Sequence, residues 1–180
     1  MIALALTGAA VPVATIAQEQ VVTVGGAPMF PSRNIVQNAV NSADHTTLVA
    51  AVRAAGLVDT LMSPGPFTVF APTNAAFNKL PAGTVATLVK PENKATLTGI
   101  LTYHVVSGRL TAADLSSRIA SGGGSARLTT VQGKPLTVTS AGRGRFTITD
   151  AKGGKSAITI PDVLQSNGVI HVVNSVLIPG

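Results

Sequence analysis

Thr68-Val-Phe-Ala-Pro-Thr-Asn-Ala-Ala-Phe77 reads as a strand that runs into a helix. Thr68, Val69 and Phe70 favour extended backbone, Pro72 stops the strand, and Thr73 or Asn74 can cap a helix through Phe77. Near the end of the chain, Asn167-Gly-Val-Ile-His-Val-Val-Asn-Ser-Val-Leu-Ile-Pro179 is a turn at Asn167-Gly168 that feeds an apolar strand. Between the two lies Leu101-Thr-Tyr-His-Val-Val106.

Working outward, helical patterns dominate the first half. Ser32-Arg-Asn34 opens one with apolar Ile35, Val36, Ala39 and Val40. Asp44 is the expected N-cap of a second, with Leu48, Val49 and Val52 on one face and Gly56 beyond its end. Pro81 starts a short helix through Leu88, and Pro91-Glu-Asn begins another with the stripe Leu97, Ile100, Leu101. Thr111-Ala-Ala-Asp-Leu115 is a short capped helix. Beyond Ser121-Gly-Gly-Gly-Ser125 the period changes to two, and Leu128–Val131, Leu136–Thr139, Phe146–Thr149 and Ala157–Ile160 read as strands. Helices first and strands later predict an α+β fold, with helices packed on a twisted, mainly antiparallel sheet. Residues 18–33, with Gly25, Gly26, Pro28 and Pro31, read as a linker or N-terminal arm before a domain over 34–180.

The three quoted blocks, in this order, resemble the fasciclin family of extracellular adhesion domains, from about Asn34 to Pro179. The resemblance implies a binding module rather than an enzyme. It marks Thr73, Asn74, Asn167, Gly168 and His171 as motif positions, and implies that the pair Tyr103-His104 helps to hold the fold together.

Composition narrows the chemistry. Cysteine is absent, which removes disulfides, thiolate nucleophiles and zinc–cysteine sites. Only 3% of residues are aromatic, with no Trp and one Tyr, so there are few platforms for stacking on bases or sugars. The run Ile2 to Ala17 is apolar or small and uncharged, and Thr15-Ile-Ala17 precedes polar Gln18-Glu-Gln20. We expect a signal peptide over residues 1–17, truncated at its start because a basic n-region is missing, and a mature chain from Gln18 that is secreted or periplasmic.

The formal net charge is +6. Between residues 127 and 155, Arg127, Lys134, Arg143, Arg145, Lys152 and Lys155 face only Asp150. Such a stretch is an electrostatic footprint for an anionic partner. The plainer reading, a solvated face on alternating strands, is preferred because Phe146 is the only interleaved aromatic.

Catalytic patterns fail one by one. His104 and His171 each sit in an apolar strand without a sequence-local third ligand, so the expectation is two structural histidines and no metal. His45 is given no role. The seven acids are isolated in sequence, and no Gly-x-Ser-x-Gly turn occurs. Gly153-Gly-Lys-Ser156 lacks the first glycine of a phosphate loop and precedes a strand, so it reads as a turn. Pro161-Asp162-Val163-Leu164 resembles the Pro-Asp-Ile-Met stretch implicated in adhesion by integrin-binding members of the family, with Val163 and Leu164 as departures. Asp162 and Val163 are therefore candidate binding residues, with Arg143, Arg145 and Lys152. The plainer reading has Asp162 capping a turn and Val163 packing inward.

The sequence thus predicts a secreted module that needs no cofactor and has no specific nucleic-acid role. Its expected partner is a cell-surface or matrix protein or an anionic polysaccharide. The alternative is a periplasmic carrier or sensor of a small apolar ligand, held between helices and sheet.

Overall fold

The computed structural model describes residues 20–180. The expected signal segment lies outside the described residues. In chain order the elements are β1 (Val22–Val24), β2 (Ala27–Met29), α1 (Ile35–Ala39), α2 (Thr46–Ala55), α3 (Val58–Met62), β3 (Phe67–Pro72), α4 (Asn74–Asn78), α5 (Thr84–Leu88), α6 (Lys94–Tyr103), β4 (Val105–Ser107) and α7 (Ala112–Ser121). Then follow β5 (Ser125–Thr129), β6 (Pro135–Ser140), β7 (Phe146–Thr149), β8 (Lys155–Gln165) and β9 (Gly168–Val173). Short 3-10 turns precede α2 and α6, at Ala43–His45 and Pro91–Asn93.

Seven strands form one sheet in the order β4-β3-β9-β8-β7-β6-β5. The two blocks that open the sequence reading become its centre: β3 and β9 pair in parallel, with Phe70 opposite His171. The other neighbours run antiparallel. A bridge between Val106 and Thr130 brings the two edges together, so the sheet is mixed and nearly closed into a barrel. The class is α+β, as expected, but the sheet is not a simple antiparallel layer.

Closure creates two cores. Inside the barrel lie Phe70, Tyr103, Leu115, Ile119, Val138, Phe146, Ile148 and Val173. Outside β3 and β9, under α1, α2, α3 and α6, lie Leu48, Val52, Val69, Leu97, Ile170 and Val172. β3 and β9 serve both, which is why every residue of β9 is buried and its sequence runs apolar without alternation. Each buried Val or Ile there stabilises the fold by about 2 kcal/mol. Gly168 opens β9 because a Cβ on it would collide with the carbonyl of Phe67 on β3.

Two expectations need correction. The arm at 18–33 is not a free linker where it is described: β1 and β2 form a hairpin turned at Gly25-Gly26, both at positive φ. Val24 and Met29 are each 3% exposed and join the outer core. Nor does the chain leave the sheet at Pro161. β8 continues to Gln165 through register shifts between Ile158 and Val163, an irregularity that tolerates a proline without an N–H.

Candidate functional site

β5, β6, β7 and the first residues of β8, up to Ile158, alternate. Ala126, Leu128, Leu136, Val138, Phe146, Ile148 and Ile158 point into the barrel and are buried. The intervening residues form the outer face. Pairing places Arg127 beside Thr137, Thr137 beside Thr149, and Thr149 beside Lys155. The parallel row is Ser125, Thr139, Thr147, Ala157. Four threonines thus form a grid with an exposed cation at each end of one row, roughly 14 Å apart at three strand spacings. The turns add further cations. Exposed Arg143 and Arg145 occupy the β6–β7 turn, while exposed Lys134 and Lys152 lie in the β5–β6 and β7–β8 turns at the opposite end.

Asp150, the single acid of this stretch, is turned away from the face. It is 8% exposed, and its carboxylate accepts from the amides of Lys152 at 3.0 Å, Gly154 at 2.7 Å and Ile178 at 3.0 Å. The result is a face of cations and hydroxyls. Phe146 offers no platform on it, being 2% exposed inside the barrel. Of the sequence candidates, Arg143, Arg145 and Lys152 are exposed but sit at opposite ends. The row from Arg127 to Lys155 crosses the strands near the Lys134 and Lys152 end, and only strand register reveals it.

Asp162 and Val163 do not form an apolar edge with a carboxylate beside it. Val163 is 1% exposed, in the core under the helices. Asp162 occupies the irregular part of β8 at φ 55°, and its Oδ1 accepts from the Ala112 amide at 2.7 Å. The carboxylate thereby meets the first turn of α7, where free N–H groups favour negative charge. Thr111 and Asp114 complete that helix start as a reciprocal capping box.

The motif residues knit the two cores together. Thr73 caps α4, and the Oδ1 of Asn74 accepts from the Thr47 amide at 3.0 Å. Asn74, rather than the expected Asp44, thus supplies a side-chain acceptor in the first turn of α2. The Tyr103 hydroxyl donates to the carbonyl of Pro135 at 2.8 Å and accepts from the Ala151 amide at 2.9 Å. His104 bonds the Ile100 carbonyl through Nδ1 at 2.8 Å, and its Nε2 accepts from the Leu177 amide at 2.9 Å. Burial pushes its pKa down to about 4, so the ring is neutral at pH 7. His171 accepts from the Asp162 amide through Nδ1 at 3.2 Å and bonds the Leu110 carbonyl through Nε2 at 2.7 Å, while stacking on Phe70. Every ring nitrogen of these two histidines is engaged, leaving none to ligate a metal.

Asn167 bonds three ways. Its Oδ1 accepts from the Ile35 amide at 3.0 Å, and its Nδ2 donates to the carbonyls of Leu61 at 2.7 Å and Ser63 at 2.8 Å. A model of the fasciclin domain matches residues 43–179. The chain belongs to the fasciclin domain family.

Relatives extend across kingdoms. The chain is 43% identical over 183 residues to protein sll1483 of Synechocystis sp., covering 97% of this chain and 93% of that protein. It is 40% identical to the immunogenic protein MPB70 of Mycobacterium bovis, over 78% of this chain and 66% of that one. It is 38% identical to the transforming growth factor-beta-induced protein ig-h3 of Sus scrofa, over 73% of this chain but only 17% of the larger protein. Among solved structures, a domain pair from the insect cell adhesion molecule fasciclin I superposes with a TM-score of 0.72 at 22% identity. It covers 82% of this chain and 51% of that one, a likeness of fold. Within this fasciclin domain the sequence reading missed His45. Its only local signal is Ser42, three residues earlier, whose Oγ lies 2.9 Å from His45 Nδ1.

Proposed function

We propose that this fasciclin domain is a secreted or envelope-exposed attachment module that binds an anionic polysaccharide through the outer face of β5–β8. The observation that carries the reading is the row Arg127, Thr137, Thr149, Lys155, with the one local carboxylate folded inward. A solved relative in fold comes from a cell adhesion molecule, which supports attachment rather than catalysis. The uncharged apolar run Ile2–Ala17 supports export. Among the described residues no helix is long and apolar enough to cross a membrane.

Exposed charge pairs are individually weak, about 0–1 kcal/mol each, so binding here is the sum of several cations along a polymer. At physiological ionic strength the screening length is about 8 Å, so affinity falls steeply with salt. Retention on an alginate-coupled resin over a salt gradient tests this. Arg127→Ser with Lys155→Ser should elute earlier than wild type, and adding Arg143→Ser, Arg145→Ser and Lys152→Ser should bring elution forward again. Lys90→Ser with Lys94→Ser removes equal charge from exposed positions outside the sheet and should elute later than the first pair. Identical elution of the two charge-matched pairs overturns the assignment of the face.

A further inference from the structure

A cavity of about 80 Å³ lies between the helical layer and the sheet, independent of the basic face. Its walls are hydrocarbon, including Leu48 and Val52 of α2, Val69 of β3, Val105 of β4, and Ile170 and Val172 of β9. It is not closed off from solvent, since exposed Arg53, Thr60 and Val131 are among its lining residues. Two histidines interrupt the apolar lining, and Arg53, Thr60 and Thr102 also border it. His104 has both ring nitrogens bonded, so His45 is the one with a nitrogen to offer. His45 is 4% exposed, at the end of the 3-10 turn before α2. Ser42 fixes its ring through Nδ1. Among the described residues, His45 Nε2 is the one buried side-chain polar atom without a hydrogen-bond partner. The Ala71 carbonyl is near enough to favour protonation, but no hydrogen bond of adequate geometry forms. Burial outweighs that influence and holds the ring neutral.

An unpartnered buried polar atom in an otherwise satisfied core calls for an occupant. The other buried polar side chains meet that standard: Asn38 bonds Phe30 and Gln165, and Thr68 bonds Gly108 and Leu110. We propose that this cavity is a binding site for a neutral, mostly aliphatic molecule with a single hydroxyl group, which hydrogen-bonds His45 Nε2 while the hydrocarbon packs against α2, β3 and β9. A hydroxyl serves either tautomer of the ring, because it both donates and accepts. At His45 a carboxylate fits poorly, since the apolar walls would desolvate its charge beside a neutral imidazole, and the one cation of the lining, Arg53, is at the exposed surface. Size sets the probe. A dry cavity of roughly 150 Å³ takes benzene, so this one holds the head and first carbons of a chain whose remainder leaves by the mouth.

The test is methyl and imidazole NMR of the protein with 1-hexanol, hexanoate and xenon. Xenon should shift the methyls of Val52, Val69 and Val172, reporting the apolar space alone. 1-Hexanol should shift the same methyls saturably and move the 15N resonance of His45 Nε2, whereas hexanoate should bind at least about tenfold more weakly. His45→Phe should keep the xenon response and weaken 1-hexanol by about tenfold, the usual effect of one hydrogen bond. Unchanged 1-hexanol affinity in His45→Phe overturns the proposal. Where that variant does not fold, the wild-type ring decides: 1-hexanol that leaves His45 Nε2 unmoved, or gives no saturable methyl shift, overturns it equally.

Discussion

Asp162 combines a non-glycine residue at φ 55° with a carboxylate that meets the first turn of a helix. Left-handed backbone costs an ordinary residue about 1–2 kcal/mol, and Asp is among the residues that tolerate it. Its Oδ1 bond to Ala112 gives one orphan N–H of α7 a partner. Asp162→Ala should therefore destabilise by about 1 kcal/mol, the usual loss at a helix start, measurable as a lower urea midpoint with unchanged slope. An unchanged midpoint would show that this bond is not needed. The sequence suggested a cap here but not its target, because Ala112 is 50 residues away. Tyr103 and His104 were easier to interpret: adjacent, in an apolar setting, and matching a family pair. Their partners on β6, the β7–β8 turn and the C-terminal segment become visible only when the barrel closes.

At the scale of elements, the β3–β9 pairing leaves no room for error. Gly168 faces the Phe67 carbonyl, and any Cβ would have to push the two strands apart. Gly168→Ala should cost about 1–3 kcal/mol from overpacking, seen in thermal melts, with loss of amide protection in β9 before the outer strands. Asn167, one residue earlier, ties the start of α1 and the end of α3 to the β8–β9 turn. Asn167→Ala leaves an amide and two carbonyls short of a partner and should cost about 2–3 kcal/mol in urea unfolding. Helix positions were largely legible because caps and apolar spacing are local signals, as at Gly56 after α2, where φ is 72°. The β1–β2 hairpin was not legible, since Gly and Pro in three-residue strands look like linker until Val24 and Met29 find a core. The span of β8 was missed for a related reason. Pro161 ends a regular strand, and only the shifted register lets the chain continue.

For the molecule as a whole, the two cores share β3 and β9, so disturbing one should loosen the other. Buried histidines touch both: His45 in the helical layer, His171 on the barrel side, and His104 between them, lining the cavity while accepting from the Leu177 amide. Burial is the first cause that lowers the pKa of each, and backbone carbonyls only partly oppose it. The sign follows from linkage. A folded-state pKa below the unfolded value of 6.5 means that the unfolded chain binds more protons in between, so stability rises with pH across that window. Stability is full above about pH 6.5 and is lost as pH falls toward 4. His104 alone, lowered to about 4, contributes about 3 kcal/mol to that loss. His45 and His171 add to it in the same direction. The melting temperature should therefore fall steeply between pH 6.5 and 4, as one transition, because no layer can protonate and open by itself. His104→Gln removes one of these titrating groups while keeping a neutral acceptor near the Leu177 amide. It should melt lower than wild type at pH 7 and lose less on acidification, so the two curves converge near pH 4. Parallel curves would mean that His104 does not titrate on unfolding. Two separate acid transitions would mean that the barrel and the helical layer fold apart, against the shared β3–β9 pair.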